Sequence, residues 1–142
     1  MANIGFSGTS KGMTGAQKTA LRTILADVKG ELHHGDCIGA DAEAHEIAEE
    51  CGLLPILHPP TNHTKRAWCS SPSHLMRPER PYLTRNRDIV DDTVALIAAP
   101  AEFDEQPRGG TWYTVRYARK CGKPIALILP DGLVRRTPPD RL

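Results

Sequence analysis

The chain has 142 residues, 39% of them hydrophobic and 25% charged, with a formal net charge of +1. That length fits one domain, expected over residues 1–130, with a core large enough for a sheet covered on both faces. The near-neutral charge supplies no global field for nucleic acid, and no apolar run reaches the roughly 20 residues of a bilayer span, so neither a nucleic-acid nor a membrane partner is expected.

The start of the chain enters a strand pattern at once, over residues 3–7, without the composition of a signal peptide. A cytoplasmic location is therefore expected, with Cys37, Cys51, Cys69 and Cys121 reduced. After the loop Gly8-Thr9-Ser10-Lys11-Gly12, Thr14 and Gln17 have the spacing of a capping box. Leu21, Ile24, Leu25 and Val28 then recur at helical spacing, which predicts a helix over 16–28. Residues 31–34 form a short strand. A second glycine-bearing loop follows, Gly35-Asp36-Cys37-Ile38-Gly39-Ala40-Asp41, and leads into an alanine-rich helix over 42–51. An apolar strand over 53–58 stops at Pro59-Pro60. Residues 61–81 break the rhythm with three prolines and no hydrophobic period; a loop of this length reads as a functional flap or a disordered segment. Order returns with a helix over 82–91 carrying Arg85-Asn86-Arg87 and a strand over 93–99. The acidic loop 100–107, the pair Gly109-Gly110 with Thr111, a helix over 113–121 and an apolar strand over 125–129 complete the pattern. The proline- and arginine-rich end, residues 131–142, reads as a frayed tail.

Apolar strands alternating with helices predict an α/β fold of three layers, Rossmann-like, with a mainly parallel five-stranded sheet. Ligands of such sheets bind beyond the carboxyl ends of the strands, where the strand order reverses. Three loops that follow strands, at Gly8, Gly35 and Gly109, would share that rim. The last precedes a helix whose first N–H groups and positive dipole end suit a phosphate.

These motifs together resemble the SLOG superfamily: Ser7-Gly8-Thr9-Ser10, Gly35-Asp36-Cys37-Ile38-Gly39-Ala40-Asp41, Arg85-Asn86-Arg87-Asp88-Ile89-Val90 and Arg108-Gly109-Gly110-Thr111-Trp112. That group includes the YpsA-like proteins, the DNA-processing protein A family and the LOG phosphoribohydrolases. His58-Pro59-Pro60 and Gly110-Thr111-Trp112 look closest to the YpsA-like branch, which has small stand-alone versions in bacteria and phages. The resemblance runs over residues 3–129. It implies a pocket for a nucleotide or a nucleotide-derived molecule, and a homo-oligomer. LOG enzymes carry a catalytic glutamate in a P-G-G-x-G-T-x-x-E pattern. Thr114 stands at that position here, so no catalytic residue is assigned.

The expected binding residues are Gly8, Thr9 and Ser10 on one side and Gly109, Gly110 and Thr111 on the other. Gly35 and Gly39 are close-approach positions. Asp36 is the preferred acceptor for a sugar hydroxyl, with Asp41 divided between that role and a helix cap. Arg85, with Asn86, would neutralise phosphate, leaving Arg87 for a salt bridge or a subunit contact. Cys37 has no base beside it and reads as a packed thiol. Glu102, Asp104 and Glu105 read as a solvated cluster, although a displaced catalytic acid is conceivable among them. Trp112 is balanced between stacking on a base and covering the core. His58, His63, Cys69 and His74 fit no tight zinc spacing, so no metal and no cofactor are expected. His33 and His34 are expected to pack or face solvent.

The resulting expectation is a sensor or sequestering module without turnover. The alternative is an N-glycosidic hydrolase of a nucleoside monophosphate or an ADP-ribose-like compound. Single-stranded DNA binding ranks third, because only 5% of the residues are aromatic.

Overall fold

A computed structural model describes residues 1–138; the last four positions of the expected tail, 139–142, lie outside the described residues. The chain runs β1 (Ala2–Gly8), α1 (Gly15–Leu25), β2 (Gly30–His34), α2 (Ala40–Glu50), β3 (Leu54–Leu57), α3 (Tyr82–Asp91), β4 (Ala95–Ala99), α4 (Gly110–Lys120), β5 (Ile125–Ile128) and β6 (Val134–Thr137). The sheet order is β3-β2-β1-β4-β5-β6, with β6 antiparallel to β5 and the other neighbours parallel. The sheet has six strands rather than the expected five. The sixth comes from the segment read as tail, where a turn at Gly132 folds residues 134–137 back along β5.

Helices cover both faces because the strands are apolar on both. Leu21 and Leu25 of α1 and Ala44, Ile47 and Ala48 of α2 pack with Ile4, Phe6, Leu32 and Ile97 on one face. Val115 and Ala118 of α4 pack with Leu96, Ala98 and Val90 on the other. The capping box at Thr14 and Gln17 forms as expected. Gln17 also reaches inward, its amide donating to the carbonyls of Pro100 at 2.8 Å and Ile128 at 2.9 Å. One buried side chain thus ties the start of α1 to the ends of β4 and β5, satisfying carbonyls that would otherwise be stranded.

The chain leaves β1 and β2 for helices on one face, then crosses to the other side of β1 to make β4. The order reverses between β1 and β4, so the loops after these two strands diverge and open a cleft between them.

Residues 61–81 are ordered. Asp36 is fully buried and accepts from Arg66 Nε at 2.8 Å and from the Cys69 amide at 2.9 Å, which pins the segment to the β2–α2 loop. The chain then returns beside β3: the Arg77 amide donates to the Leu57 carbonyl, Arg80 to Pro59, and Thr61 to Arg80.

Candidate functional site

At the reversal point lies a cavity of about 520 Å³. Its floor is the end of β1 and the following loop, with Gly8, Thr9, Ser10 and Lys11. One wall is the start of α4, with Gly109, Gly110, Thr111 and the edge of Trp112. Asp41, Tyr82, Arg85 and Asn86 also line it, together with Asn62, Thr64, Lys65, Glu102 and Arg108. Nine of the twelve expected residues therefore border one cavity. Gly35, Asp36 and Gly39 stand behind it.

Those three act through the protein. Gly39 has φ +87°, and a Cβ there would collide with the Ser10 carbonyl, so this glycine locks the β2–α2 loop onto the β1 loop. Gly39→Ala is expected to lower stability by about 2–3 kcal/mol, from left-handed strain plus a backbone clash. Urea unfolding would measure it; a loss below ~0.5 kcal/mol, the usual scale for surface changes, would mean the loop yields freely. At Gly35, a Cβ would lie 2.5 Å from Arg85 Nη1, which donates to the Gly35 carbonyl.

The helix end is open. Gly109 has φ +105° and ψ +143°, a conformation for glycine, and α4 carries no side-chain cap. The first helical bond runs from the Tyr113 amide to the Gly109 carbonyl, so the Gly110, Thr111 and Trp112 amides precede the ladder and line the cavity. Gly110 serves a second purpose, since a Cβ there would strike the Tyr82 hydroxyl. Exposed Lys11, Lys65 and Arg108 belong to no ion pair among the described residues and converge on this rim.

Arg85 departs from its expected role. It is buried, its Nε donates to Asn86 Oδ1 at 2.7 Å, and its Nη1 donates to the carbonyls of Gly35 and His58. Most of its donors hold the fold, and Nη2 donates to no protein group among the described residues. Arg87 is exposed, as the helical geometry requires.

The two aspartates exchange places. Asp36 takes φ +53°, and its side chain turns inward to Arg66 and Cys69. It does not reach the cavity, which corrects its assignment as the sugar contact. Asp41 does reach it, and it does not cap α2, whose N-cap is Gly39. Asp41 Oδ2 accepts from the amides of Gly35 at 3.1 Å and Cys37 at 3.3 Å. Its Oδ1 is buried without a partner. Burial pushes the Asp41 carboxyl up to about 6, against the opposing pull of the Arg85 charge and these two amides. An unsatisfied carboxylate oxygen in a cavity wall suits a ligand hydroxyl.

Burial, and next the Asp41 charge, push the Cys37 thiol up to about 11, so it stays protonated at neutral pH. Thr114, at the position of the LOG glutamate, is buried and donates to the Gly110 carbonyl at 2.8 Å within its own helix. Trp112 resolves toward the core: it is 3% exposed and packs with Val115. Its indole donates to Glu102 Oε1 at 2.8 Å, which fixes a half-buried carboxylate at the cavity edge where the sequence suggested a solvated loop. Lys11, Lys65, Arg108 and Glu102 are the charged cavity residues left out of the expected set. Arg108 had a signal, its place immediately before the glycine pair; Glu102 had only its position just after β4.

His58, His63, Cys69 and His74 do not form a cluster among the described residues. His63 pairs with Glu79 at 2.6 Å. His58 instead meets His33, and His34 meets His45 near Cys69.

Neither a protein-family model nor a curated protein matches the chain. Solved structures do. TM1055, a structural genomics target, aligns with a TM-score of 0.63 at 14% identity over 88% of this chain and 72% of its own. DNA processing protein A from Streptococcus pneumoniae gives 0.67 at 16% identity over 89% and 50%, so this chain spans half of that protein. The same protein from Helicobacter pylori, described with a single-stranded DNA binding mode, gives 0.60 at 17% identity over 89% and 64%. No helix among the described residues is long and apolar enough to cross a membrane. At these identities the likeness concerns architecture: the chain has a three-layer, Rossmann-like α/β fold shared with DNA processing protein A.

Proposed function

We propose that the chain binds a nucleotide or nucleotide-derived small molecule in the cavity between β1 and β4, as a sensor or sequestering module of the YpsA-like kind. The observation that carries this reading is the lining of the cavity. It combines an uncapped helix N-terminus with three cations, Lys11, Lys65 and Arg108, that form no ion pair among the described residues. The same lining includes Asp41, whose buried Oδ1 has no partner among the described residues. A phosphate suits the first and a sugar hydroxyl the second. The volume, about 520 Å³, is in the range of small-ligand sites.

An N-glycosidic hydrolase is the second reading, favoured by one observation: Asp41 and Glu102 are two carboxylates in different surroundings on one cavity. Glycosidic cleavage uses such a pair to protonate a leaving group and stabilise an oxocarbenium-like state. Thr114 supplies no acid, which favours binding without turnover. Single-stranded DNA, bound by the Helicobacter pylori neighbour, ranks third because Trp112 is buried in the core.

The test incubates the full chain with nucleoside monophosphates, NAD, ADP-ribose and oligo-dT, followed by thermal shift and chromatography of the same samples. A stabilising nucleotide that is recovered intact is the expected result. Released base would replace the sensor reading with the hydrolase, and stabilisation by oligo-dT alone would overturn both. Lys11→Ala with Arg108→Ala is expected to weaken binding at least ~10-fold and flatten its salt dependence, as loss of charged hydrogen bonds would. The chromatography also reads the homo-oligomer that the family resemblance implies.

A further inference from the structure

His33 and His58 are buried and face each other, with His33 Nδ1 2.8 Å from His58 Nε2. Asp92, at the end of α3, brings Oδ2 to 3.9 Å from that His58 nitrogen. One nitrogen from each histidine and one Asp92 oxygen lie within 4.8 Å of one another. Four-coordinate zinc, with bonds of roughly 2.0–2.2 Å, sets neighbouring ligand atoms a little over 3 Å apart. The observed 2.8 and 3.9 Å bracket that spacing, so small side-chain movements suffice.

The protonation pattern separates this cluster from the other one. Glu31 Oε1 lies 2.9 Å from His33 Nε2, and a carboxylate there must accept a proton from that nitrogen. The Nδ1 lone pair is then free and aimed at His58. A carboxylate behind a histidine is also the usual outer support of a metal ligand. In the second cluster the Asp36 amide donates to His34 Nδ1 at 3.0 Å, so His34 carries its proton on Nε2, the nitrogen facing His45 at 2.9 Å. A metal there would need a fully deprotonated imidazole. His34 and His45 are therefore a hydrogen-bonded pair with the Cys69 thiol nearby.

We propose that His33 Nδ1, His58 Nε2 and Asp92 form a binding site for a divalent transition-metal ion of the zinc class, supported by Glu31. Two imidazoles and one carboxylate select such an ion over magnesium or calcium, which prefer all-oxygen shells. His58 need only move its proton from Nε2 to Nδ1, with no net proton release from the imidazole. The Asp92 side chain is 42% exposed, which gives the ion an entry path and a position for water. Its existing partner, Arg77 Nε at 3.7 Å, is itself exposed, and such a surface pair is weak competition. The site lies outside the nucleotide cavity and is independent of the reading given above. It touches that cavity at one point, because the His58 carbonyl anchors Arg85. The ion would join the end of β2, the exit from β3 and the end of α3.

The test strips the full-length chain with a chelator and titrates it with Co²⁺ alone, read by visible absorption, then with Zn²⁺ in competition. One Co²⁺ per chain with d–d bands, displaced by Zn²⁺, is the expected result. Asp92→Asn, at an exposed position, is expected to weaken Co²⁺ binding at least ~10-fold without unfolding, and Glu31→Gln by about 10-fold or more. Cys69→Ser is expected to bind as the parent does. No saturable binding by the folded parent, unchanged binding in Asp92→Asn, or loss of binding in Cys69→Ser would each overturn the proposal. His58→Gln adds a direct ligand removal, and the exposed Asp92 variant decides the matter if His58→Gln does not fold.

Discussion

Asp36→Ala is expected to destabilise the protein by about 3 kcal/mol and to release residues 61–81 to protease. Asp36 is fully buried and the Arg66 side chain is 5% exposed, so the pair lies out of water. Removing one partner of a buried pair costs roughly 3–5 kcal/mol, because the other charge is left uncompensated. The lower end applies here, since Arg66 keeps Glu79 at 2.7 Å and the face of Trp68 at 3.8 Å. The Cys69 amide also loses its acceptor. Urea unfolding gives the energy, and trypsin, which cuts after Lys65 and Arg66, gives the location. Faster cleavage at those two sites under native conditions is the specific signature. Equal cleavage in variant and parent would show that the segment is held by its β3 contacts instead.

Asp41→Asn is expected to do the opposite to stability while weakening the ligand. The Asp41 carboxyl is raised from an ordinary 3.8 to about 6, first by burial; Arg85 and the Gly35 and Cys37 amides oppose the rise, and Asp36 adds to it. The folded state thus holds this proton more tightly than the unfolded chain does. Below pH 4 both states are protonated and nothing is lost. Between pH 4 and 6 the unfolded chain ionises first and stability falls. Above pH 6 the loss is complete, on the order of 3 kcal/mol for a shift of about two pKa units. Asparagine keeps the Oδ acceptor for the two amides and removes the charge. The variant should melt on the order of 10 °C higher at pH 7.5 and lose the decline between pH 4 and 6. Ligand affinity should fall at least ~10-fold, since a charged acceptor for a hydroxyl is gone. Identical pH profiles for parent and variant would show that Asp41 is not carrying a buried charge. Under the proposed function, stability and binding move in opposite directions because the buried charge that costs stability is the one that serves the ligand.

The four helices and the first five strands follow from periodicity, because their burial patterns are local. The sixth strand escaped because Val134-Arg135-Arg136-Thr137 offers one apolar residue and two charges. An antiparallel edge needs only backbone pairing on one side, so its sequence carries little signal. The rim itself was legible: three loops after parallel strands must meet at one end of the sheet. Which aspartate lines the cavity was not. That depends on the left-handed turn at Asp36, fixed by Arg66 thirty residues later. The histidine pairs were hidden for a similar reason. Neighbours on β2 point to opposite faces, so His33 and His34 find separate partners that lie far along the chain.

The return of residues 76–80 beside β3 bears on self-association. An open β3 edge would be a template on which another chain's strand could add. Here the Leu57 carbonyl is already taken by the Arg77 amide, and Pro59 by Arg80. At the far side of the sheet, β6 carries an exposed Arg135 and a half-buried Arg136. One margin is therefore covered at the carboxyl end of β3, and the other carries charge. Both devices disfavour the addition of a strand from another molecule.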